Sequence, residues 1–220
     1  MLTLSQVQKN PYLLEFIKQT ERRLFILKYT NHGLDHVGLV AARARTLANE
    51  VGLAKKDIEL AAIAAFSHDV GNFLSRTYHH YLGSMIFQQL FLKDFAPDEL
   101  AKIMQAIVNH DKEEMEFTDL ISAIVILADK SDVRKSRVTV TDKKFIQEDI
   151  HSRVNFAVDY SKLDIEKKAK RIVLRLKIDV KVVPIMEYFE IFTERMVYCR
   201  KAAECLGYKF GLVINDFKLL

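Results

Sequence analysis

The chain has 220 residues, with 33 Lys and Arg against 29 Asp and Glu for a formal net charge of +4. Half of it is hydrophobic, enough for a sizeable core and too much for a disordered chain, and only 7 Gly and 3 Pro argue against a fold of many short strands and turns. The charge excess is mild and lacks the concentrated basic stripe of a dedicated nucleic-acid binder. No run of about 18 uncharged apolar residues is present, so no membrane helix is expected. The first ten residues lack the basic-then-apolar order of a secretory leader, and two cysteines, Cys199 and Cys205, make no disulfide framework. The expected setting is the reducing cytoplasm, without a membrane partner.

In chain order, Asn10-Pro11 caps and starts a helix to about Tyr29, with Leu13, Leu14, Ile17, Leu24 and Leu27 on its apolar stripe. A second helix is expected from about Asp35 to Glu50, stopping near Gly52. A third, capped by Asp57 and rich in Ala and Leu, ends at His68-Asp69-Val70-Gly71. A fourth spans about His79 to Phe91, a fifth runs from Pro97 to near His110, and Thr118 opens a sixth that ends at Asp129.

Near residue 150 the pattern changes. Residues 154–160 and 171–178 alternate large apolar with mostly polar side chains, the period of a strand. Pro184 opens a long helix to about Leu206, closed by Gly207, and Phe210, Leu212 and Ile214 form a third alternating run. The expected fold is mainly α: a helical domain over 1–150 and a small α+β unit, β-β-α-β, over 151–220. The aromatic run Tyr188 to Phe192 reads as core covering the sheet. Arg171, Arg175 and Lys177 fall on the opposite face, where a solvated basic strand explains them as well as a nucleic-acid contact does.

Most of the 7 His stand at helix ends. His36 follows Asp35 at the start of the second helix, His68 and Asp69 end the third, His79 and His80 open the fourth, His110 closes the fifth and Asp129 the sixth. Helix ends in a bundle converge on shared rims, and neutral imidazoles with carboxylates bind divalent transition metals, which acidify water into a nucleophile. Adjacent side chains inside a helix diverge by about 100°, but at an end relaxed by Gly71 both His68 and Asp69 can face one ion. Taken singly, each has a plainer explanation, such as a His complementing a helix dipole. The ordered set does not.

That order, His36, His68-Asp69, a His followed by Gly, His110 and then Asp129, resembles the HD superfamily of metal-dependent phosphohydrolases. Leu34-Asp35-His36-Val37, Ser67-His68-Asp69-Val70-Gly71 and Ile126-Leu127-Ala128-Asp129-Lys130 are similar to its first-His, namesake and last-Asp segments, so the resemblance covers about residues 30 to 135. It implies an HD-type bundle in which His36, His68, Asp69 and Asp129 bind one ion. In relatives with two ions, two further histidines join and Asp69 bridges; His110 matches one of them. The other is His79 or His80; the family's usual Gly four residues after the ligand, here Gly83, favours His79, with His80 then facing the site. His32 and His151 match no family position and read as surface or loop residues. The chain departs from the pattern at Asn72, where a phosphate-binding Lys often stands, and it lacks the signature of the cyclic-dinucleotide branch.

Lys130, Arg134, Lys135 and Arg137 follow the last ligand, and Arg76 lies between Asp69 and His79. Arg134, about one turn past Asp129, is the first choice to assist the reacting phosphate, with Arg76, Lys130 and His80 as further substrate contacts. The expected function is hydrolysis of a phosphomonoester or phosphoanhydride of a small molecule, by preference a nucleotide, with one or two ions of Mn, Fe, Co, Ni or Zn. A nucleotide-binding sensor or scaffold with a structural metal, and a di-iron oxygenase of the same fold, remain as alternatives. The appended unit serves a homodimer contact, a cover over the site or another role, and the sequence does not choose among these.

Overall fold

The computed structural model describes residues 2–112, 117 and 119–219. After a single turn, α1 (Leu4–Val7), comes α2 (Pro11–Ile26), where the Asn10 side chain accepts the Tyr12 and Leu13 amides, both at 3.0 Å, and Pro11 occupies the first helical position. The bundle continues through α3 (Leu34–Glu50), α4 (Lys55–Ser67), a 3-10 turn at Val70–Phe73, α5 (His79–Phe91), α6 (Pro97–Asn109) and α7 (Leu120–Lys130). Gly52, with φ +87°, ends α3 as the sequence suggests. Thr118 lies outside the described residues; α7 is capped by Asp119, which accepts the Ile121 and Ser122 amides at 2.7 and 3.2 Å. From Ile121 to Lys130 every residue of α7 is buried, because α3, α4, α6 and α10 (Ile185–Cys205) pack around it.

Beyond α7 lie a 3-10 turn at Lys135–Arg137, α8 (Lys143–Glu148) and α9 (Ile150–Ala157), then β1 (Val158–Glu166), β2 (Arg171–Ile178), α10, β3 (Lys209–Ile214) and β4 (Phe217–Lys218). The strands form one sheet in the order β1-β2-β3-β4. The β1–β2 and β3–β4 pairs are antiparallel, while β2 and β3 are parallel, with α10 as the crossover. A small α+β unit thus follows a helical bundle, as the sequence indicates. One hydrophobic cluster runs through both, with Tyr188, Phe192 and Met196 of α10 facing inward.

The start of the first strand is corrected. Residues 154–157 are the last turn of α9, and β1 begins only at Val158. The alternation was misleading because Asn155, counted as an outward polar position, is buried and donates its Nδ2 to the His151 carbonyl at 2.9 Å. Asp149 starts this helix by accepting the Ser152 amide at 2.7 Å. On the sheet, Arg175 pairs with Asp164 and Glu166 and Lys177 with Asp216, so carboxylates answer these bases.

Gly71 matters for space rather than for an unusual φ. A Cβ there would collide with the His79 carbonyl and lie 2.6 Å from the Gly83 amide nitrogen. The turn after Asp69 and the first turns of α5 therefore touch backbone to backbone. Gly71→Ala must push α5 away, at an expected loss of about 1–3 kcal/mol in urea unfolding, accompanied by loss of the His79 position.

Candidate metal centre

The first turn of α3, the C-terminal ends of α4, α6 and α7 and the start of α5 deliver His36, His68-Asp69, His110, Asp129 and His79 to one buried cluster. In each imidazole Nδ1 is committed elsewhere. His36 Nδ1 donates to Asp132 Oδ2 at 2.7 Å, His68 to the Ala65 carbonyl at 2.7 Å, His79 to the Arg76 carbonyl at 2.7 Å and His110 to the Ile107 carbonyl at 2.6 Å. Two of these acceptors, the Ala65 and Ile107 carbonyls, lie in the last turn of a helix and need a donor anyway. Every Nε2 lone pair is thereby turned toward the interior.

Asp69 stands between two groups of these nitrogens. Its Oδ2 lies 3.4 Å from His36 Nε2 and 3.1 Å from His68 Nε2, and Asp129 Oδ1 completes this side at 3.3 and 3.6 Å from the same two atoms. Its Oδ1 faces the other way, 3.4 Å from His79 Nε2 and 3.7 Å from His110 Nε2, with Asp111 Oδ2 at 3.7 Å from His79. Donors held about 2.1 Å from one ion at angles of 90–110° sit about 3.0–3.5 Å apart, close to the spacing on both sides. His36 and His68 Nε2 are buried without a hydrogen-bond partner, and His79 Nε2 and His110 Nε2 approach to 3.0 Å. Such an array of facing lone pairs needs a cation or protons between them. The donor set therefore fits a divalent metal.

Charge balance agrees. Burial, the largest single influence on His68, disfavours imidazolium, yet Asp69 and Asp129 together override it and raise its pKa to about 10. Asp69 and Asp129 are driven well below the carboxylate range: burial opposes this, but the imidazoles around them and, for Asp129, the Lys130 ammonium prevail. His79 goes the opposite way, to about 3, because burial and the neighbouring His110 disfavour its charged form.

Of the other expected residues, Lys130 is buried and binds Asp111 at 2.9 Å and Asp129 at 3.0 Å. Arg76 donates to Asn72 Oδ1 at 3.0 Å, and Asn72 Nδ2 in turn donates to Asp69 Oδ1 at 2.8 Å. His80 sits at the edge; it forms a group of possible ligands with His79 and Asp111, whereas His79 also groups with Asp69 and His110. Arg134 does not reach the cluster: its guanidinium binds Asp132 at 2.8 Å, Ser136 at 2.6 Å and the Asp35 carbonyl at 3.4 Å. His32 is no surface residue. It is buried beside His36, its Nδ1 2.5 Å from the Thr30 carbonyl, because the loop before α3 folds over the cluster. His151 is exposed.

A small polar vestibule of about 20 Å³ opens from Asp69, His79, His110 and Asp129 and is rimmed by Arg76, Arg137 and Arg195. Sequence reasoning missed Asp132, Asp111 and Arg195. His110-Asp111 repeats the His-Asp pairing of His68-Asp69 at another helix end, which was the available signal. Asp132 and Arg195 have no such local mark.

Residues 33–134 match the family described as HD domain. The matched stretch covers just under half of the chain. Its boundaries enclose His36, His68, Asp69, His79, His110 and Asp129, and HD domains form a superfamily of metal-dependent phosphohydrolases. An uncharacterized protein of Methanocaldococcus jannaschii is 29% identical over 153 residues, an overlap covering 57% of this chain and 56% of that protein. The chain thus spans little more than half the length of the curated relative it matches. Among the described residues, no helix is long and apolar enough to cross a membrane.

Two outcomes follow. Asp132→Ala frees His36 to rotate and should weaken divalent-metal affinity about 10–100-fold in competition titrations, with little change in the helical circular dichroism. The second concerns pH. His68 is raised from its ordinary 6.5 to about 10, so in chelator-treated protein its ion pairs stabilise the fold fully below 6.5 and are lost as pH rises toward 10. A metal at Nε2 must displace that proton. Metal uptake near pH 7 should therefore release protons, seen as a buffer-dependent calorimetric enthalpy, and the gap in Tm between metal-loaded and chelator-treated protein should widen with pH.

Proposed function

We propose that the chain is a metal-dependent phosphohydrolase that cleaves a phosphomonoester or phosphoanhydride, with a nucleotide as its substrate. The observation that carries this reading is Asp69, whose two oxygens each face a separate pair of imidazole Nε2 atoms. His36, His68, Asp69 and Asp129 would hold one ion, and Asp69, His79 and His110 a second, with Asp111 in reach. Nitrogen and carboxylate donors without thiolate suit Mn, Fe, Co, Ni or Zn. A divalent ion bound there supplies a nucleophile at neutral pH and Lewis-acid neutralisation of phosphoryl charge.

The chain's own residues then have distinct tasks. The committed Nδ1 atoms keep each imidazole in one tautomer and one orientation. Arg76 and Arg137 place positive charge at the vestibule rim, where phosphate oxygens enter. Lys130 tethers Asp111 to Asp129 and so fixes the acidic wall. Arg134, expected to assist the phosphate directly, acts instead through Asp132, which it holds against His36 as a positioning residue. His80 borders the substrate side without joining the Asp69 group.

The binding-only alternative was motivated by Asn72 in place of Lys. Asn72 links Asp69 to the Arg76 guanidinium, so a cation stands near the cluster all the same, which favours the hydrolase. Metal analysis of protein purified without chelators, combined with a panel of nucleotides, tests the reading. The wild type should hold one or two ions per chain and release phosphate, whereas Asp69→Ala should lose metal and all turnover. Full metal stoichiometry in that variant, or tight nucleotide binding with no turnover under any metal, would overturn it.

A further inference from the structure

A second cavity of about 330 Å³ adjoins the vestibule and shares His32, Arg76, Arg137 and Arg195 with it as walls. Its floor and far end come from segments outside the matched HD domain. These are the turn after α2, the α8–α9 corner with Phe145, Asp149, Ser152 and Asn155, and the α10 face with Phe192 and Arg195. We propose that this cavity is the subsite for the organic part of the substrate, and that Arg195, carried by the C-terminal unit, binds the substrate phosphate from the side opposite the metal ligands. The proposal rests on the phosphohydrolase reading and names its substrate class: an organic phosphate with a polar, nucleoside-sized group, and not a bare inorganic phosphate or pyrophosphate.

Three observations support it. Ligand pockets of about 300 Å³ and more hold molecules of this size, whereas the 20 Å³ vestibule alone has room for little beyond a phosphoryl oxygen or a water. The cavity is polarised. Its vestibule end carries three arginines; the rest is lined by hydrogen-bonding groups, one carboxylate, Asp149, and the Lys28 ammonium, which lies 4.5 Å from the centroid of the Phe145 ring, with Tyr29 and Phe192 on the walls. That gradient suits an anionic head and a donor-bearing, flat-faced tail. Third, Arg195 differs from the other arginines of this unit. Arg153 and Arg175 pair with carboxylates, while among the described residues none lies within salt-bridge reach of Arg195. Its guanidinium stacks instead on Phe192, 4.7 Å from the ring centroid, which holds the fork in place with its donors open to an anion.

Calorimetric titration of the Mn²⁺-loaded full chain with the four common nucleoside 5′-monophosphates, glucose 6-phosphate and inorganic phosphate tests the inference. At least one organic phosphate should bind about tenfold or more tightly than inorganic phosphate. Arg195→Ala should weaken it about 10–100-fold while metal content stays at the wild-type value, and Arg195→Lys should recover part of the loss. Asn155→Leu should lower the ratio of organic to inorganic phosphate affinity. Equal affinity for all the probes, or an Arg195→Ala affinity within about twofold of wild type, overturns the subsite. Turnover that is indifferent to Arg195 would sink the subsite and leave the hydrolase standing; tight, Arg195-dependent binding without turnover would do the reverse.

Discussion

The constraint on which the rest depends is the burial of more negative charge than positive around a ring of imidazole lone pairs. Asp69, Asp129 and Asp132 are buried to 3, 9 and 1% exposure, and only Lys130 and Arg137 lie equally deep among the cations at the cluster. Removing three carboxylates from water costs far more than two ammonium or guanidinium partners return unless the remaining lone pairs find a positive charge. Protons on His36 and His68 supply it in part, which is why both imidazoles are held basic by the carboxylates they face despite their burial. A divalent ion supplies it more fully. On this view the displaced pKa values and the metal fit are one electrostatic fact seen twice.

The bundle positions the donors by making their helix ends touch. Gly71 and Gly83 let the turn after Asp69 lie backbone to backbone against α5, so the distance between Asp69 and His79 is set by van der Waals contact and not by flexible side chains. The wholly buried α7 does the same for Asp129, and its last turn leads directly to Asp132, which braces His36 across the cluster. One candidate ligand, Asp129, and the carboxylate that supports another, His36, thus come from the same short stretch of chain, three residues apart.

Much of this was legible in the sequence, and what was not has physical causes. The six candidate ligands could be read because each occupies a helix end and the order of ends follows the chain. Asp132 could not, since its role exists only once α3 has folded against α7, and nothing in its neighbours distinguishes it from Asp149 or Asp159. His32 was misplaced because a short polar loop normally faces water; here it closes over the cluster and becomes part of its wall. The early start given to the first strand came from treating Asn155 as exposed, when a buried amide can satisfy itself on the carbonyl four residues back. Arg134 was preferred over Arg137 on sequence distance alone, and the 3-10 turn that separates them reverses their facing, with Arg137 inward and Arg134 on Asp132.

The C-terminal unit also gains a reason for its topology. A parallel β2–β3 pair cannot be joined by a hairpin, so the chain must cross over, and α10 makes that crossover with 21 residues, about 30 Å of helix. That helix is longer than strands of eight and six residues need for cover. The surplus lies on α7, so α10 is packed both on the sheet and on the helix that carries Asp129. A residue in the middle of a helix held on two sides has little freedom to drift, and Arg195 is such a residue. An antiparallel three-strand unit with a short turn would have covered the same core without bringing a guanidinium to the cluster. The crossover therefore does more than close a sheet: it ties the position of a cation from the last quarter of the chain to that of the candidate ligand Asp129 on α7.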